Sequence, residues 1–140
     1  MDDFYKQKIV WGNLCLSAQY AMAEEGMFIN APSSMIVPGS EYLLAILNSK
    51  LADWFIRTLG VTRNGGYFEY KPMFVKKLPV PKVEVGIQVE IKNLINRLHE
   101  LKKVRKDTLM IEEEIDDIIF GIYRLSQHER EFVLKNKGTL

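Results

Sequence analysis

The strongest constraint in this chain is a change of hydrophobic period at Leu78-Pro79-Val80-Pro81. Proline lacks an N–H donor and biases its predecessor away from the helical region, so regular structure stops there. Before this tetrapeptide, short β-branched and aromatic runs are punctuated by turn residues. After it, apolar residues recur at helical spacing. The expected fold class is therefore α+β: a small, mostly antiparallel sheet with a flanking helix over residues 1–82, followed by a C-terminal helical unit over residues 83–140.

The first part opens with a strand-like run at residues 8–13 that ends on a Gly-Asn turn signal. Residues 16–22 can form a second strand, and Glu24-Glu25-Gly26 reads as a turn. Residues 27–37 hold two short strand runs about Pro32, a residue suited to an edge or a joint, and Pro38-Gly39 closes the β-rich stretch. Ser40 is a fitting N-cap, although Glu41 comes too early to complete a capping box. Leu43, Leu44, Leu47, Leu51, Trp54, Phe55 and Leu59 then predict one helix over 41–59, with Gly60 as its C-terminal stop. A basic, glycine-containing loop over 61–67 leads into a strand-like stretch over 67–75. Beyond the prolines, Ile87, Ile91, Leu94, Leu98 and Leu101 form a heptad-like seam on a long helix. Ile111, Ile115, Ile118, Ile119 and Ile122 mark another helix over 109–123, with acidic Glu112 to Glu114 in its first turn. Ser126 and Glu129 have capping-box spacing for a short last helix.

An apolar fraction of 47% supports a core and excludes general disorder. The single cysteine, Cys15, excludes an internal disulfide and paired-cysteine zinc sites, and reads as a small buried hydrophobe. The longest apolar stretch, residues 42–59, is broken by Asn48, Ser49, Lys50, Asp53 and Arg57, so no membrane span is expected. No basic-then-apolar leader is legible, and the chain opens as if in mid-domain. A cytoplasmic setting is the expectation.

The net charge of +1 hides a local bias. Residues 57–82 carry Arg57, Arg63, Lys71, Lys76, Lys77 and Lys82 against Glu69 alone, with Tyr67, Phe68, Tyr70 and Phe74 interleaved. Lysine and arginine neutralise phosphates, arginine and asparagine can pair with base edges, and glycines let the backbone approach closely. The candidate DNA-binding residues are Arg63, Asn64, Gly65, Gly66, Tyr67, Lys71, Lys76 and Lys77. A plainer reading of the same composition is a solvated face with the aromatics in the core. The basic helical block 84–106 and the acidic block 107–140 would neutralise each other as an antiparallel pair.

No catalytic constellation is legible. Trp11 and Trp54 sit in apolar periodic segments and read as core, and His99 as helix surface. Ser17 and His128 have no acid or turn to make them a nucleophile and base. Pro81-Lys82 with Glu84 echoes a nuclease motif without its preceding acid. There is no Asn-Pro-Pro-Tyr tetrapeptide, and Gly65-Gly66 is not a cofactor loop.

The ordered strings KIVWGNL, GMFINAPSSMIV, YLLAILNSKLADWFI and NGGYFEYKPMFVKKLPVP resemble the TaqI-like C-terminal specificity domain. That domain is the target-recognition region of methyltransferases and of fused type IIG restriction enzymes. It is similar, more distantly, to domains of type I specificity subunits. LLAILNSKL and LPVP are the most specific parts, and IDDIIFGIYRLSQHE resembles the closing helical segment of those enzymes. The resemblance implies a mixed α/β domain that grips double-stranded DNA opposite an S-adenosylmethionine-dependent methyltransferase domain. It places the methyltransferase and nuclease parts, with their S-adenosylmethionine and Mg, on an N-terminal portion of the parent chain. The chain itself is expected to be non-catalytic and to bind no cofactor or metal. The competing expectation is a structural or subunit-docking module that uses the heptad-like helix.

Overall fold

The structure, a computed structural model, describes residues 8–12, 14–15, 18–23, 33–36 and 40–136. Its strands are β1 (Lys8–Gly12), β2 (Leu14–Cys15), β3 (Ala21–Ala23) and β4 (Ser33–Ile36). The central β1 pairs antiparallel with β3 on one side and β4 on the other. Ile9 lies opposite both Met22 and Ile36, and the alternation of the strand sends Ile9 and Trp11 into the core. The strand expected at residues 16–22 is confined to Ala21–Ala23 among the described residues, and Leu14–Cys15 pairs elsewhere. The expected turn at 24–26, the first run of 27–37 and Pro38-Gly39 lie outside the described residues.

The helix expected over 41–59 is two helices, α1 (Glu41–Asn48) and α2 (Lys50–Arg57). Ser40 caps the first by accepting the Leu43 N–H at 3.1 Å. Ser49 breaks the helix in an extended conformation and caps the second by accepting the Ala52 N–H at 3.1 Å. Its hydroxyl also donates to the Ile46 carbonyl at 2.6 Å. The Asn48 amide accepts the Tyr20 N–H at 2.8 Å and donates to the Tyr20 carbonyl at 2.9 Å, acting as a rung of sheet just ahead of β3. Continuous apolar spacing across Leu47 and Leu51 concealed the break, because each short helix keeps its own buried face.

Gly60 is not the helix stop. Thr58 is the C-cap, and Gly60 serves close packing instead. A Cβ there would lie 3.0 Å from Phe74 Cε2 and 3.2 Å from the Phe68 ring. After a 3-10 turn at Asn64–Gly66, β5 (Phe68–Glu69) pairs antiparallel with β2. The strand-like expectation for 67–75 holds only for these two residues. Pro72 opens the one-turn helix α3 (Pro72–Val75), since proline's fixed φ suits a first helical position.

Arg57 and the aromatic rings anchor this stretch. The guanidinium lies 3.3 Å from Asp53 and 2.9 Å from the Tyr70 hydroxyl, which itself donates to Asp53 at 2.9 Å. It also sits over the Phe68 ring, 5.3 Å from the centroid. Trp11 Nε1 donates to the Tyr70 carbonyl at 2.8 Å, tying β1 to the residue after β5. A run of ring contacts passes from Trp11 through Tyr20, Tyr70 and Phe68 to Phe74.

The proline segment has no regular structure, as its composition predicts. It is pinned on both sides: Tyr123 donates to the Pro79 carbonyl and Tyr42 to the Pro81 carbonyl. Beyond it lie α4 (Val85–Lys103), α5 (Leu109–Ile122) and α6 (Gln127–Lys135), the last with the expected Ser126–Glu129 capping box. Ile91, Leu94 and Leu98 of the seam are buried, joined by Ile95. The faces of α4 and α5 close on each other and on α1 and α2, and α6 packs on α2. One apolar core runs from Ile9 to Val133. Each fully buried side chain such as Ile91 or Ile119 stabilises the fold by about 1.5–3 kcal/mol. No helix among the described residues is long and apolar enough to cross a membrane.

Three outcomes follow for stability. Asn48→Ala leaves the Tyr20 backbone groups without their partner and is expected to cost about 1–3 kcal/mol in urea unfolding. An unchanged midpoint would mean that the clamp holds nothing. Arg57→Ala removes the buried cation that holds half-buried Asp53 and buried Tyr70 and is expected to cost about 2–4 kcal/mol, far more than loss of an exposed lysine. Burial pushes the Tyr123 hydroxyl from 10.0 up to about 12. The folded state then keeps a proton that the unfolded state releases, so this contribution is intact below pH 10 and lost as pH rises toward 12. Thermal melts of Tyr123→Phe should show a shallower alkaline decline than the parent chain, and identical slopes would contradict this.

Candidate nucleic-acid interface

Residues 60–78 leave α2, turn on two glycines, add β5 and close on α3. The turn needs glycine, since Gly65 and Gly66 have φ of +83° and +87°, where a Cβ is strained. It closes through the Arg63 N–H donating to the Tyr67 carbonyl at 2.7 Å and the Gly66 N–H donating to the Arg63 carbonyl at 3.0 Å. Arg63, Asn64, Gly65, Gly66 and Tyr67 are all exposed along this loop.

The cations of the segment divide three ways. Arg57 is 7% exposed and belongs to the core network, so it leaves the surface patch. Arg63 and Lys71 share one carboxylate: Glu69 Oε1 lies 2.7 Å from Arg63 Nη2, and Oε2 lies 3.7 Å from Lys71 Nζ. The Lys71 ammonium also sits 5.6 Å from the Phe74 ring centroid. Lys76, Lys77 and Lys82 are exposed and have no carboxylate within ion-pair distance among the described residues. Burial of Val75 and Leu78 on either side sends Lys76 and Lys77 outward, on the turn that continues α3 rather than on a strand.

The segment's aromatics also divide. Phe68 and Tyr70 are core residues and Phe74 is half-buried, which leaves Tyr67 as the exposed ring among them. The fold gathers Arg63, Glu69 and Lys71 around one groove of about 330 Å³, floored by Gly60, Phe68 and Phe74. Lys76 lines a different, mainly apolar groove with Trp11, Leu43, Leu47 and Val80. The candidate residues thus form two neighbouring features of one short segment.

Sequence reasoning counted Glu69 only as an opposing charge. The signal for its role was its place between Phe68 and Tyr70, since strand alternation that buries both rings must expose the residue between them. The exposed apolar Val61 and Met73, which flank the same segment, carried no signal. Elsewhere, Trp11 is buried as expected. Trp54 is half-buried with its ring edge-on to Phe132, and Cys15 is half-buried. His99 and His128 are exposed on α4 and α6, and Ser17 lies outside the described residues.

No curated protein sequence matches the chain. The family model of the TaqI-like C-terminal specificity domain matches residues 2–80, more than half of the 140. That span takes in the sheet, α1 and α2, the glycine turn and both grooves, and it ends inside the proline segment. The chain belongs to the TaqI-like C-terminal specificity domain family.

Proposed function

We propose that this chain is a non-catalytic module for sequence-specific recognition of double-stranded DNA in a restriction-modification enzyme, and that residues 63–77 are its DNA face. In this reading the parent is a type IIG enzyme, cytoplasmic, whose methyltransferase and nuclease domains carry the S-adenosylmethionine and Mg chemistry. The observation that carries the proposal is the run of cations around a glycine turn, exposed Arg63, Lys76 and Lys77 with half-buried Lys71, within the span matched by a specificity-domain family.

The division of labour follows from the chemistry. Lys76 and Lys77 project from a short hydrogen-bonded turn, are exposed, and suit phosphate oxygens. Arg63 and Asn64 project from a loop whose glycines allow the backbone near a groove wall, and they suit base edges. The docking-module alternative needs a free heptad seam, but Ile91, Leu94 and Leu98 are buried inside this chain.

Anisotropy titrations with duplex DNA at several salt concentrations test the proposal. Neutralising Lys76 and Lys77 together should weaken binding to every duplex and reduce the salt slope by roughly one for each phosphate that no longer meets a cation. Replacing Arg63 or Asn64 should cost about 1–3 kcal/mol on the cognate site and much less on random DNA. Wild-type affinity and slope in the double lysine variant would remove those residues from the interface. Equal losses on cognate and random DNA would make Arg63 and Asn64 positioning residues.

A further inference from the structure

A carboxylate amid phosphate-binding cations works against affinity, because it repels phosphate and occupies the cations. Glu69 stands in that position and cannot easily leave it. Its backbone is paired with Leu14 across β2 and β5, and its neighbours Phe68 and Tyr70 are buried. One oxygen holds Arg63 and the other reaches Lys71, which the Phe74 ring holds from another side. Arg63 is also fixed at its backbone by the closed glycine turn. Its side chain is 60% exposed, and its remaining guanidinium N–H groups have no acceptor among the described residues.

An exposed ion pair of this kind adds only about 0–1 kcal/mol to stability, so its main effect is orientation. A guanidinium held at one nitrogen by a carboxylate keeps its other N–H groups for an edge with two acceptors, such as guanine O6 and N7. A carboxylate beside it can accept the amino N–H of cytosine but meets phosphate with repulsion. We propose that Glu69 is a specificity-determining residue that turns the Arg63–Lys71 groove from a phosphate grip into a reader of a G·C base pair. This rests on the DNA-recognition reading above.

The test uses the full chain and a pool of duplexes with a randomised core. Equilibrium selection gives the preferred sequence, and titration of the unselected pool at two salt concentrations gives general affinity. The parent chain is expected to enrich guanine at one position by about five- to hundredfold. Glu69→Gln, nearly isosteric, is expected to lose that preference while binding the unselected pool roughly three- to tenfold more tightly, with a steeper salt slope. Arg63→Lys keeps the charge without the fork, and is expected to lose the same guanine while holding affinity for the pool. If Glu69→Gln enriches the parental motif with parental strength, the inference is wrong and the DNA reading stands. The same holds if the parent chain binds the pool but selects no guanine. If the parent chain does not bind the pool at all, the DNA reading fails and takes the inference with it.

Discussion

Asn48, Ser49 and Lys50 each direct a polar group at a different part of the molecule, and the arrangement of the other elements depends on those three links. The Asn48 amide takes both backbone groups of Tyr20, Ser49 ends one helix and starts the next, and the Lys50 N–H donates to the Asp116 carboxylate at 3.0 Å. Burial pushes the Asp116 carboxyl up, and the Lys50 N–H bond opposes this. The sheet, the helix pair and the helical unit therefore meet at one tripeptide. Its break redirects α2 so that Asp53 and Arg57 reach Tyr70, and Tyr70 in turn receives Trp11. Through that relay the central strand and the α1–α2 junction set where β5, and hence Glu69, stands.

The helical unit was legible because its apolar spacing, its caps and its proline boundary all indicate the same elements. The two-helix break was not, because a side-chain clamp to Tyr20 leaves no mark in periodicity. Residues 67–75 misled for a related reason. Phe68 and Tyr70 alternate as a strand does, but Pro72 starts a helical turn that buries Val75 and packs Phe74 on Phe68. The ends of α4 and α5 carry arginines, Arg105 and Arg124, at φ of 56° and 58°, where glycine is the usual signal. Here the Lys106 N–H to Leu101 carbonyl bond and the Leu125 N–H to Phe120 carbonyl bond secure the caps without it.

The cationic surface shows what composition cannot separate. Six basic residues in one stretch look alike in sequence, yet one is a core residue, two share a carboxylate and three stand exposed without an ion pair among the described residues. Three-dimensional structure converts a net charge into distinct placements: in the core network, on a shared carboxylate, and free at the surface among the described residues. The proline segment, pinned by Tyr42 and Tyr123, fixes this surface against the helical unit.

The central claim is that residues 63–77 are the face that meets DNA. Amide hydrogen exchange of the chain with and without duplex DNA tests it most directly, because it reports every element at once. Duplex DNA is predicted to add protection at the glycine turn around Arg63 to Tyr67 and at Lys76 and Lys77, with α4, α5 and α6 unchanged. Protection confined to those three helices, with the turn and the two lysines unaffected, would contradict it.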